Sequence, residues 1–154
     1  LLLEKAIDVS LEKLREISFE LHPFMIEDLG LVETLGSFFR RMEQAANCSI
    51  PLTVKGKPVQ LPLEKEHLIY RICQEILKYL AAEHKIDTIS TELTYGMKES
   101  TELTFGVKSS TAISAQQVEE DVKLTTKRIA MMNGEVDFVD GAGANKVEIR
   151  IRIP

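Results

Sequence analysis

Few side chains in this sequence combine a reactive group with a spacing that suits chemistry. Glu75 lies on the helix predicted over residues 64–83, where its carboxylate could act as a general base. His67 comes just inside the start of that helix, and His84 comes just past its end. Neither histidine has a Cys, Asp or Glu neighbour at metal-ligand spacing. We therefore predict no metal site.

The composition describes one soluble domain with room for a core and, at most, a helical appendage. The chain has 154 residues, of which 44% are hydrophobic and 28% charged. Its net charge is −5 and its basic residues are scattered, so we expect no nucleic-acid partner. No apolar run is long enough to span a membrane, and we expect no membrane contact by this stretch. Two isolated cysteines, Cys48 and Cys73, suggest a reducing, cytoplasmic location.

Residues 3–21 carry the apolar stripe of a coiled coil or helical bundle. Apolar side chains recur in a heptad rhythm, and charged residues occupy the positions between them. A helix with one apolar stripe needs a partner to cover it, so we predict dimerisation through this face. The chain starts without Met, and we expect it to be part of a longer protein. The predicted dimerisation residues are Leu3, Ile7, Leu14, Ile17 and Leu21.

Downstream of Pro23, the periodicity predicts a two-layer α/β sandwich with a mixed sheet and three helices. A near-repeat over residues 91–110 alternates polar and apolar side chains, which predicts a hairpin with one buried face. The Met131-Met132 pair is expected to fill gaps in the core. The predicted elements are a helix over 28–46, a strand over 50–54, a helix over 64–83, the hairpin, a helix over 115–132, and strands over 135–139 and 146–153.

The segment over residues 14–35 resembles the end of the dimerisation helices in two-component sensor histidine kinases. Pro23, the run Asp28-Leu29-Gly30-Leu31 and Leu35 carry this match. It is closest to the subfamily whose response regulators are of the helix-turn-helix kind. The resemblance implies that residues 1–28 form the last dimerisation helix, in an incomplete hairpin.

Three later segments extend the resemblance to the ATP-binding domain of the same family. Residues 70–77 are similar to the helix that opens the ATP site, and residues 127–134 and 146–154 are similar to the closing helix and strands. The resemblance therefore implies a histidine-kinase ATPase-like domain of the GHKL type over residues 29–154.

One part of the N-terminal helix also resembles the phosphoacceptor box of other histidine kinases. In that alignment, Phe19 stands where the phosphorylated His belongs. A second long dimerisation helix should then follow, but only the helix over 28–46 separates Phe19 from the first strand. We therefore expect the phosphoacceptor helix to lie upstream of residue 1.

The resemblance also implies three sequence boxes for ATP chemistry, and the first two are altered. The first box should hold a Glu and, four residues later, an Asn that binds Mg²⁺. Glu75 is present, but Tyr79 takes the Asn position, and a phenol is a poor Mg²⁺ ligand at neutral pH. In the second box, Ser109, Thr111 and Ile113 replace an adenine-reading Asp and two glycines.

The third box, a glycine-rich phosphate loop, should lie near residues 119–122. The sequence has no glycine between Gly106 and Gly134, so a backbone cradle for phosphate is not expected. We therefore predict a degenerate, pseudokinase-like domain without ATP, Mg²⁺ or another cofactor. It would act by contact, as a homodimer that engages a response regulator or a partner kinase.

Two alternatives remain open at this point. The first is an active histidine autokinase with divergent nucleotide boxes. The second is a His phosphotransferase in a phosphorelay, in which His22 would carry the phosphoryl group on a two-fold helical bundle. The competing interpretation of His22 is a structural contact at the kink before Pro23.

Overall fold

The computed structural model describes residues 2–7, 24–97 and 100–154. Residues 2–7 are helical. The elements that follow are α1 (Phe24–Leu29), α2 (Leu31–Ala46), β1 (Leu52–Lys55), α3 (Leu63–Glu83), β2 (Ile86–Met97), β3 (Ser100–Ser109), α4 (Ala115–Asp121), α5 (Lys123–Met131), β4 (Glu135–Asp140) and β5 (Lys146–Ile153).

The strands form one mixed sheet in the order β1-β2-β3-β5-β4. The β1–β2 pair is parallel, and the other three pairs are antiparallel. The helices cover one face, and α3 places its apolar side along the core, where Ile69, Ile72, Ile76 and Leu80 are buried. The predicted two-layer arrangement with a mixed sheet is confirmed.

The near-repeat forms the predicted hairpin of β2 and β3. Leu93 pairs with Leu103 and Thr91 pairs with Phe105, and all four side chains are buried. The two copies resemble each other because both strands present the same alternate positions to one core. The β2 strand is longer than predicted, since it begins at Ile86.

The helix predicted over 28–46 is interrupted at Gly30, which separates α1 from α2. Gly30 has a φ of +88°, a conformation that residues with a Cβ rarely adopt. Its amide still donates to the carbonyl of Ile26, and its carbonyl accepts from the amide of Thr34. The prediction of one continuous helix was therefore wrong. The predicted domain boundary after residue 28 falls within α1, and the division itself stays a prediction.

The helix predicted over 115–132 is also two helices, because the chain turns at Val122. The Ser114 hydroxyl caps α4 by accepting from the amide of Gln117 at 3.2 Å. Val122 leaves helical geometry with ψ of +26°, and its side chain is buried. The first strand starts later than predicted, at Leu52, because Pro51 has no amide to donate to a ladder.

Candidate functional site

The candidate site residues on α3 are Glu75 and Tyr79, which lie one helical turn apart. Residues four apart share a helix face, so both side chains reach the same neighbouring element. The buried stripe of α3 faces the sheet, and α3 also packs against α5. The first box of the resemblance therefore lies beside the α4–α5 pair.

The Glu75 carboxylate accepts hydrogen bonds from two side chains of α5. The Thr125 hydroxyl donates to Oε2 at 2.7 Å, and Arg128 donates from Nη1 to Oε1. The Arg128 contact is also an ion pair, in which the Glu75 side chain is 30% exposed. Both carboxylate oxygens are thus engaged by protein donors, and Thr125 itself is buried. Proton abstraction by Glu75 would require these contacts to open.

The Tyr79 hydroxyl is tied to the end of α4. It donates to Oδ2 of Asp121, and its oxygen lies 3.4 Å from Nε2 of His84. The Tyr79 and His84 rings also meet edge to face, with centroids 5.8 Å apart. Burial raises the pKa of Tyr79 above its ordinary value, and the hydrogen bond and charge of Asp121 raise it further. The phenol therefore stays protonated, and acts as a donor, at neutral pH.

The second set of candidate residues follows the end of β3. Ser109 is buried, and its hydroxyl donates to the Lys85 carbonyl at 3.0 Å and accepts from the Thr111 amide at 3.2 Å. Ile113 is buried as well, and its amide donates to the carbonyl of Ala144 at 2.9 Å. The segment is therefore held by local hydrogen bonds and by packing.

Residues 119–122, where the third box was expected, form the end of α4 and the turn after it. The Val122 amide donates to Val118, and the Val122 carbonyl accepts from Thr126 at 3.0 Å. Amides that are engaged in helical hydrogen bonds cannot converge on a phosphate.

The two sets of candidate residues adjoin where α3 ends. His84 contacts Tyr79, and the next carbonyl, that of Lys85, accepts from Ser109 and from the Ser110 amide. Sequence reasoning missed the partners on the other side of the site, Asp121, Thr125 and Arg128. These three residues are spaced four and three positions apart, a spacing that places side chains on one face of a helix. This spacing is the sequence pattern that could have indicated them.

The remaining predicted site residues fall partly outside the described residues. Leu3 is 74% exposed and Ile7 is 53% exposed on the helical residues 2–7. The other predicted members of the dimerisation face and the phosphotransfer candidate lie outside the described residues; they are Leu14, Ile17, Leu21 and His22.

Among residues 2–7, 24–97 and 100–154, no group of three or more His, Cys, Asp or Glu side chains could hold a metal ion. None of the helices in those ranges is long and apolar enough to cross a membrane. The thiol of Cys73 is buried, whereas Cys48 is half-buried, and both are free.

Three surface cavities lie elsewhere on the domain. Their volumes are about 610, 360 and 320 Å³. None of these three is lined by Glu75 or Tyr79. The third reaches His84 and Ser110, at the junction between the two sets of candidate residues.

The chain is similar in sequence to a known signalling protein. It is 29% identical over 105 residues to the signal transduction histidine-protein kinase/phosphatase DegS of Brevibacillus brevis. The match covers 64% of this chain and 27% of DegS, so the chain spans about a quarter of that relative's length. No protein-family profile matches the chain.

Solved structures share the fold. The histidine kinase domain of the blue-light activated histidine kinase EL346 from Erythrobacter litoralis has a TM-score of 0.60 at 15% identity, covering 80% of this chain and 64% of that one. The histidine kinase AdeS of Acinetobacter baumannii has a TM-score of 0.61 at 12% identity, covering 99% and 83%. The predicted fold class is confirmed, and so is the resemblance: the chain is similar to sensor histidine kinases in sequence and in fold.

Proposed function

We propose that this region is a pseudokinase module of a two-component system, with a nucleotide site that is degenerate. It acts by contact. The domain holds a homodimer together through the N-terminal helix, and it presents the upstream helix to a response regulator or a partner kinase. Signals pass when the domain changes its position on the helical stem.

The observation that carries this proposal is the closure of α4 and α5 over α3. Glu75 would have to face the reacting groups of a bound nucleotide, yet its carboxylate is paired with Arg128 and Thr125. An ATP site would need a metal ligand at position 79, yet the Tyr79 hydroxyl is hydrogen-bonded to Asp121. The engagement of both side chains by protein partners supports a site that takes no nucleotide.

The residues that are present do not fit Mg²⁺-ATP. Tyr79 offers a protonated phenol, whereas Mg²⁺ prefers carboxylate, carbonyl and water oxygens. Ser109 has no carboxylate to read an adenine amine, and its hydroxyl is already bonded to Lys85. Residues 119–122 provide no glycine to bring backbone amides close to phosphate. These three departures affect separate parts of the site, so no single substitution would restore it.

Titration calorimetry with Mg²⁺-ATP tests the proposal directly. We expect no binding heat from this chain under conditions in which an ATP-binding histidine kinase domain, measured in parallel, gives a normal isotherm. The Tyr79→Asn variant should also give no binding heat, because the second and third boxes remain altered. Micromolar binding by the unmodified chain would overturn the proposal and favour the autokinase alternative.

A further inference from the structure

The exposed side of α5 forms a small apolar and basic surface, which we call the α5 face. It consists of Leu124, Lys127 and Met131, whose spacing places them on one side of the helix. Leu124 is 77% exposed and Met131 is 83% exposed. The core-facing side of α5 is instead formed by Thr125 and Ile129, so the prediction that Met131 fills the core was wrong. Two large apolar side chains beside a lysine are typical of a contact surface.

A groove of about 610 Å³ lies between α1, the first turn of α2 and the loop before α3. We call it the acidic groove. Every charged residue of its lining is a glutamate, namely Glu27, Glu33 and Glu66. Exposed apolar side chains line it as well, namely Leu29, Val59 and Leu63. Its chemistry suits an occupant that presents apolar side chains next to a positive charge.

The three glutamates differ in what they can offer to such an occupant. The Glu66 carboxylate accepts a hydrogen bond from the backbone of Leu31, and its pKa is nevertheless raised by burial. Glu27 and Glu33 are exposed and line the same groove. A cationic partner would therefore pair with the carboxylates of Glu27 and Glu33, next to the apolar lining of the groove.

We propose that the acidic groove receives the α5 face of a second copy of this chain. Leu124 and Met131 then cover the apolar lining, and Lys127 pairs with Glu33. The two surfaces complement each other in charge and in apolar character, and their large apolar side chains are exposed in the part of the chain that the structure describes. This contact does not depend on the state of the nucleotide site.

The fold places the two surfaces at opposite edges of the helical layer. The helix α2 packs against β1, whereas α4 and α5 pack against β4. Since β1 and β4 are the two edge strands of the sheet, one chain cannot join its own α5 face to its own groove. Each chain contributes both halves, so two copies can exchange the contact about a two-fold axis, or copies can add head to tail.

Charge exchange provides the test, with sedimentation velocity at rising protein concentration as the readout. The unmodified full chain should form larger species with concentration, and added salt should weaken them. The single variants Glu33→Lys and Lys127→Glu should each lose these species, because the side chains at positions 33 and 127 then carry charges of the same sign. Mixing the two variants should restore them, because position 127 of each variant then meets an opposite charge at position 33 of the other.

Matched controls alter charge on the open face of the sheet. Lys108→Glu and Asp137→Lys change net charge in the same directions at exposed positions and should leave association unchanged. Any pairing through the N-terminal helix is common to all samples and gives the baseline. The proposal is overturned by a wild-type chain that shows no concentration dependence, by single variants that associate like wild type, or by a mixture that fails to regain the larger species.

Discussion

Arg128 and Glu75 join two helices that are 53 residues apart in sequence. The guanidinium of Arg128 on α5 donates to the carboxylate of Glu75 on α3, next to the hydrogen bond from Thr125. The pair is partly exposed, with the side chains 41% and 30% accessible. The Glu75 carboxylate therefore links α5 to α3 through both of its oxygens.

Replacement of Arg128 by Ala should lower the free energy of unfolding by about 1 kcal/mol. Partly exposed ion pairs contribute up to about 1 kcal/mol, and the remaining Thr125 hydrogen bond keeps Glu75 from being left without a donor. Urea unfolding followed by circular dichroism measures the change.

A double-mutant cycle separates this contact from general effects of truncation. Glu75→Gln and Arg128→Ala should combine to less than the sum of their separate losses, because they remove the same ion pair. Lys123→Ala is a suitable control on the same helix, since its ion pair with Glu120 is largely exposed. Strict additivity of the Glu75 and Arg128 variants would contradict the contact.

The tyrosines should titrate only when the domain unfolds at high pH. Burial is the main cause that raises the pKa of Tyr70, Tyr79 and Tyr95. The unfolded chain loses these protons near pH 10, whereas the folded chain keeps them. The unfolded state then binds fewer protons, so stability falls as the pH rises above about 10.

Tyrosinate absorbance and circular dichroism, followed together during an alkaline titration, test this expectation. Both signals should change in one transition above the pH at which free tyrosine ionises. Tyr79→Phe should make the loss of stability with pH less steep, because it removes one of the three tyrosines whose pKa is raised in the folded state. Tyrosinate formation near pH 10 with a native circular dichroism spectrum would contradict the assignment.

The strands could be predicted from the sequence more fully than the site. The alternation of apolar and polar residues in β5 predicts that Val147, Ile149 and Ile151 are buried, and they are. This two-residue period can be recognised from the local sequence alone. The partners of Tyr79 and Glu75 could not be predicted, because Asp121 lies 42 residues beyond Tyr79 and joins it only through tertiary packing.

The helix breaks were missed for a related reason. Glycine within a helical pattern can be tolerated or can end the helix, so the presence of Gly30 does not by itself predict a break. The turn at Val122 depends on which side chains of α4 and α5 the core accepts. Periodicity within one element therefore predicts strands and long helices, and it leaves the contacts between elements undetermined.

Two glycines of similar sequence context should respond to alanine with opposite signs. Gly30 has a φ of +88°, and a Cβ there would meet no atom within 4 Å, so Gly30→Ala adds backbone strain alone. We expect a loss of about 1 kcal/mol. Gly36 lies inside α2, and a Cβ there would meet only the flexible end of Arg40 at 3.5 Å. Gly36→Ala should stabilise the domain by about 0.5 kcal/mol.

Thermal and urea unfolding of both variants measure these changes in the free energy of unfolding. The comparison is internal, because each variant adds one methyl group near the start of the same helix. Stabilisation by Gly30→Ala would show that the break between α1 and α2 does not need a positive φ.

The apolar stripe of the N-terminal helix should control whether the full chain dimerises. Leu3 and Ile7 are exposed on residues 2–7, and the heptad rhythm extends the stripe to Leu14, Ile17 and Leu21 in the sequence. Replacing both Leu3 and Ile7 with Glu places like charges opposite each other in a paired seam, so dimer formation should weaken by at least tenfold, which corresponds to about 1.4 kcal/mol. Light scattering after size-exclusion chromatography measures the mass. Lys5→Ala, which lies off the stripe, should leave the dimer intact, and a Leu3→Glu/Ile7→Glu chain that stays dimeric at every dilution would place the dimer contact elsewhere.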